Sequence, residues 1–111
     1  MALALNRFKT YTKALTTSPQ TIYTAPTGYT GIILYAHVTN HTGSAAATIT
    51  MAHVRSSTTT QIINAANVPA NDAYIPLDGK LVLETSDYVT ATAGTNSVLK
   101  ILVSVLETAN A

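Results

Sequence analysis

Three histidines, His37, His41 and His53, and five carboxylates, Asp72, Asp78, Glu84, Asp87 and Glu107, are the residues whose types could do chemistry. Imidazole is a common ligand for zinc or nickel, so the histidines raise a metal site first. Reading residues 29–39 and 46–55 as a hairpin across the 40–46 loop places His37 opposite about residue 49. His53 then lies roughly 13 Å further along at about 3.3 Å per residue, too far to share an ion. Ordinary surface histidines and no metal are expected. Among the carboxylates, Asp78 and Asp87 fit turn formers, because aspartate accepts backbone hydrogen bonds and tolerates tight turns. No Asp-x-Asp-x-Asp cluster suggests calcium. There is no Gly-x-Ser-x-Gly elbow, and Gly28-x-x-Gly31 is not a phosphate loop. Asn40-His41-Thr42 matches a glycosylation sequon but reads most simply as a turn. The chain is therefore expected to be no enzyme and to hold no cofactor.

The elements that carry these residues are strands. Residues 88–93 alternate Tyr88, Thr90 and Thr92 against Val89, Ala91 and Ala93, the period of two of a half-buried strand. Residues 98–107 carry Leu99, Ile101, Val103 and Val105 on one face and Val98, Leu102 and Leu106 on the other, which suits a central strand. In 29–39 the better core face is Ile32, Leu34, Ala36 and Val38. Weaker strands are expected at 20–25, 61–66, 73–77 and 80–85, the third demoted to an edge or bulge by Pro76. Turn chemistry recurs near every ten residues: Pro26-Thr27-Gly28, 40–44, 68–72, Asp78-Gly79, Ser86-Asp87 and 94–97. About eight strands and no convincing helix predict an all-β fold, a single antiparallel β-sandwich of jelly-roll-like or Ig-like topology. The expected organisation is an extended N-terminal arm or edge strand over residues 1–16 and a β-sandwich domain over 17–111.

Composition narrows the partners. Charged residues are only 10% of the chain, against roughly 25% in an average soluble domain, while hydrophobic residues are 47%. Serine and threonine supply part of the solubility; a surface so poor in charge fits a subunit packed against neighbours, and equally a neutral β-domain that stays monomeric. A net charge of +1 leaves no basic footprint for nucleic acid. The longest apolar candidate, 98–106, is broken by Lys100 and Ser104 and falls short of the roughly 18 residues of a membrane span. The N-terminus places apolar residues before its charges, the wrong order for a secretory signal. With no cysteine, stability must come from packing. Half of the six basic residues, Arg7, Lys9 and Lys13, lie near the N-terminus. They read either as a solvated edge strand that lysine protects against edge-to-edge pairing, or as an arm that docks on an acidic surface, in which case they form with Phe8 and Tyr11 the candidate partner-binding set. On this reading, deleting residues 1–16 leaves a folded domain that no longer binds its partner. The six tyrosines could instead line a sugar-binding groove if several converged.

Two stretches, IYTAPTGYTGIILYAHVTNHTGSAAATITM and VPANDAYIPLDGKLVLETSDYVTATAGTNSVLKILVSVLE, together resemble small virion structural proteins of tailed bacteriophages. The shared rhythm is an apolar-Tyr-Thr-x-Pro-x-Gly opening, a VTN-x-TG turn, a GKLVLE-x-x-D segment and a closing VSVLE strand, covering roughly residues 20–107. The resemblance implies a non-enzymatic β-sandwich subunit, made in the host cytoplasm and located on the phage particle surface. Its expected partners are the major capsid protein or other virion proteins and further copies of itself, with a trimer favoured; no nucleic acid and no membrane. The first reading is a capsid decoration or cement protein that stabilises the head at capsomer junctions. The alternatives are a neck, tail or fibre-associated structural protein and a glycan-binding attachment module.

Overall fold

The computed structural model describes residues 6–77 and 79–110, so the segment before Asn6 and the Asp78 half of the Asp78-Gly79 turn lie outside it. Among the described residues nine strands follow in order: β1 (Asn6–Ala14), β2 (Gln20–Thr24), β3 (Tyr29–Asn40), β4 (Ala47–Arg55), β5 (Thr58–Val68), β6 (Ala73–Tyr74), β7 (Leu81–Leu83), β8 (Tyr88–Ala93) and β9 (Leu99–Ala109). One sheet runs β1-β9-β3-β6, with β7 also on β3; the other runs β2-β8-β4-β5. All pairings are antiparallel.

The pairs nest about one tip. β4 pairs β5, β3 pairs β6 and β7, β2 pairs β8, and β1 pairs β9. The chain is thus one long antiparallel ribbon wound into two sheets, and this is the jelly-roll order, of the two sandwich topologies expected. β6 and β7 occupy the place of a single strand, interrupted at the Pro76 segment because proline supplies no N–H to the ladder.

At the tip of the ribbon, Ser56 and Ser57 have φ of 49° and 68° and join Arg55 to its partner Thr58. Two consecutive residues in the left-handed region make a type I′ turn, for which Asn-Gly is the preferred pair. The sequence predicts a strand only over 61–66. The serine pair lacks the usual signal, and the strand in fact begins at Thr58. Replacing the pair (Ser56→Asn with Ser57→Gly) is expected to raise stability by about 0.5–1 kcal/mol, read as a higher urea midpoint at unchanged slope.

The core fills the space between the sheets. β9 contributes Leu99, Ile101, Val103 and Val105, and β8 contributes Val89, Ala91 and Ala93, with Ile49 and Met51 of β4 opposite. In β3 the expected face is half corrected. Ala36 and Val38 point inward, but so do Tyr29, Gly31 and Ile33, whereas Ile32 and Leu34 do not. The cause is a bulge between Ile33 and Tyr35, which inserts Leu34 as an extra residue against β9 and reverses the side-chain phase.

The expected hairpin of residues 29–39 with 46–55 is also overturned. β3 pairs β9 over its length, and β4 lies in the other sheet. The 40–46 loop crosses between the layers and is held by Asn40, only 1% exposed. Its Nδ2 donates to the carbonyls of Ala45 (2.8 Å) and Val68 (3.1 Å), and its Oδ1 accepts from the Thr42 amide. This Asn is an inter-sheet anchor, consistent with reading the sequon as a turn.

Candidate interaction face

β1 is the edge strand of the five-stranded sheet, in register with β9 from Asn6↔Thr108 to Ala14↔Lys100. Its period of two divides the candidate set. Arg7 and Tyr11 turn toward the core side, and Phe8 turns outward, 74% exposed. The Arg7 guanidinium binds Glu107 and lies 3.9 Å over the Tyr29 ring. Lys9 Nζ is 3.8 Å from the same carboxylate, and the Tyr11 ring packs on Tyr23 at 5.3 Å. Lys13 is exposed. Arg7 and Tyr11 are therefore engaged with the fold, Lys9 reaches toward Glu107 from an exposed position, and Phe8 alone of the five stands on the outer face.

Glu107 is the centre of that inner knot, 1% exposed on the core side of β9. The Tyr23 hydroxyl donates to its Oε2 at 2.6 Å. Tyr23 reaches it because Gly31, the β3 residue paired with Glu107, has no side chain; a Cβ there would sit 2.6 Å from the Tyr23 ring. Burial would raise the Glu107 carboxyl, but the bonds from Tyr23 and Arg7 and the nearby Lys9 charge outweigh it and hold it below its ordinary value. Burial, and then the bond to Glu107, push the Tyr23 hydroxyl well up, so it remains a donor.

A second knot ties the four-stranded sheet to the 84–87 turn. The Asp87 side chain, 4% exposed, accepts from Arg55 Nη2 at 2.6 Å and from Arg55 Nε at 3.0 Å. It also accepts from the Glu84 amide at 3.0 Å, and His53 Nε2 lies 3.2 Å away. Arg55 chiefly, with His53 and the Glu84 amide, lowers the Asp87 carboxyl to about 2 against the cost of burial. Asp87 is a turn former as expected and also a buried ion-pair partner. Neither knot contains a nucleophile set beside a base.

The outer faces of the two sheets differ. On the four-stranded sheet, Thr50 opposes Thr92 and Thr21 opposes Thr90, a threonine surface suited to water. On the five-stranded sheet, Phe8 opposes Leu106, Leu106 opposes Ile32, and Ile32 opposes Val82. These four side chains form one apolar row across β1, β9, β3 and β7. Val82 at its far end is 53% exposed. Tyr35 of the same face stacks on His37 at 5.8 Å. Toward the opposite strand ends, a shallow concavity of about 270 Å³ is lined by Thr12, His37, Thr39, His41, Lys100 and Leu102.

His37 and His41 thus share that concavity, while His53 lies in the other sheet against Asp87. The hairpin distance between His37 and His53 no longer applies. Among the described residues no three histidine or carboxylate side chains gather as a metal site. The apolar row was missed in the sequence because only the strand register brings its members together.

No family model matches the sequence, and no curated protein matches it. A solved structure of Bacillus endospore appendages, a family of disulfide-linked pili, aligns over 100% of this chain and 97% of that chain, with a TM-score of 0.45 and 8% identity. A likeness of that strength carries no functional argument, and this chain has no cysteine for a disulfide.

Proposed function

We propose that this chain is a non-enzymatic structural subunit of a tailed-phage particle, a capsid decoration protein that binds other virion proteins and further copies of itself. The observation that carries the reading is the apolar row Phe8, Leu106, Ile32 and Val82 on an outer sheet face, opposite a threonine-covered one. A body with a threonine-covered face on one side and an apolar row across four strands on the other is suited to be covered along that row. Two further supports are the phage-like strand and turn rhythm of residues 20–107 and the jelly-roll order, an architecture found in viral capsid and lectin domains. The architecture is a fold-level analogy.

The test is quantitative protein analysis of purified particles from cells producing this chain. A copy number comparable to that of the major capsid protein is expected for a decoration protein. A copy number matching a single neck or tail would move the chain to that part of the particle. Absence from particles would remove the virion reading.

A further inference from the structure

We propose that a second copy of this chain packs on the outer face of the five-stranded sheet, centred on the row Phe8, Leu106, Ile32 and Val82. This specifies the self-contact of the proposed structural subunit, but it stands on the geometry of the face and not on the particle being a phage.

Among the described residues each sheet edge carries a feature that opposes strand addition. β1 carries Arg7, Lys9 and Lys13 on its inward face, and inward-pointing charge at an edge opposes strand addition. β5 is interrupted by register shifts between Ile49/Met51 and Met51/Ala52 of its partner, and Ala65 sits at φ 51° with its amide bound to Thr50 Oγ1. β2 is 5 residues long with a register shift of its own, and β6 and β7 are 2 and 3 residues long. Bulges and short strands are the usual ways of closing an edge. What remains open is a face.

The size of that face fits a second copy. Strands of 9, 11 and 12 residues with the short β6 and β7 beside them, about 4.8 Å apart at about 3.4 Å per residue, give roughly 600 Å² for the whole face, or about 1,200 Å² in a pair, the lower end of specific interfaces. Charge also permits it. Lys100 is the only ionised side chain on the outer side of β9, six residues from Leu106. A two-fold axis along the apolar row sets each of the four residues against its own copy. It also carries the two Lys100 side chains to opposite ends, about 40 Å apart at about 3.4 Å per residue. The row is held rigid from behind, since Arg7, Glu107, Gly31 and Leu83 occupy the neighbouring inward positions of the same four strands.

The test is sedimentation equilibrium of the full chain from low micromolar to several hundred micromolar. A concentration-dependent dimer is expected. Phe8→Glu and Val82→Glu, at the two ends of the row, are each expected to weaken it at least tenfold, while Gln61→Glu, exposed on the other sheet, leaves it unchanged. Circular dichroism of each variant checks folding, which both exposed positions should tolerate. A monomer throughout, a dimer insensitive to both row variants, equal loss with Gln61→Glu, or a mass other than a dimer would overturn the proposal. A monomer present at high copy on particles would sink this inference and leave the particle reading standing; a dimer absent from particles would do the reverse.

Discussion

Removal of residues 1–16 is expected to abolish cooperative folding, rather than to release an intact domain from its partner. The segment contains β1, which supplies one whole side of the β9 ladder, and Leu15, only 1% exposed in the core. Loss of a buried leucine side chain alone costs about 2–5 kcal/mol. Loss of Arg7 also leaves the Glu107 carboxylate, 1% exposed, without its guanidinium. Added to the lost β1–β9 ladder, these losses bear on a domain that is stable by only roughly 5–15 kcal/mol. The measurement is thermal unfolding of residues 17–111 beside the full chain by circular dichroism. A sigmoidal transition within a few degrees of the full chain would show that β1 is an accessory. The milder substitution Arg7→Met keeps the strand and removes only the guanidinium, so its melt separates that contribution from loss of the strand and Leu15.

The parts of this fold that were legible in the sequence are those in which one strand carries its own signal. Residues 88–93 form β8 with the expected inward valine and alanines, and the doubly apolar 98–107 run lies centrally in its sheet as β9. The Pro26-Thr27-Gly28 turn is likewise local: Tyr29 N–H bonds the Pro26 carbonyl at 3.1 Å, and Gly28 takes φ 85°. Features that depend on pairing were hidden. Leu34 becomes a bulge only because β9 lies opposite, and an alternating run gives no sign of where its phase will reverse. The 40–46 loop has the chemistry of a hairpin turn and of a sheet-to-sheet crossing alike, and Asn40 decides between them through Val68, 28 positions away.

The candidate set shows the same division. Applying the period of two within β1 separates Phe8 from Arg7, Lys9, Tyr11 and Lys13, so that much could be read from the sequence. The partner of Arg7 lies 100 positions on, and that of Tyr23 lies 84 positions on. One signal was available: extending the inward series Leu99, Ile101, Val103 and Val105 by one step puts Glu107 in the core, and a buried carboxylate demands donors. The Arg55 and Asp87 pair gave no such hint, because Asp87 follows a turn serine and fits that role by itself.

Asp87→Asn is expected to cost about 2–3 kcal/mol at pH 7, and the cost should vanish in acid. The substitution keeps the shape of the side chain but removes the charge that Arg55 binds through both Nε and Nη2. The native carboxyl is depressed to about 2, below the roughly 3.9 of an unfolded aspartate. The unfolded chain therefore takes up a proton first on acidification. The stabilisation is complete above about pH 4 and drains away as pH falls through about 2, because both forms are then protonated. Urea midpoints of the two proteins at pH 7, 4 and 2 read the effect directly. The gap should be widest at neutral pH and nearly closed at pH 2. A gap of constant size would mean that the cost of the substitution does not come from the Asp87 charge. Glu107, also held below its ordinary value, contributes acid sensitivity of the same sign to both proteins and so drops out of the difference.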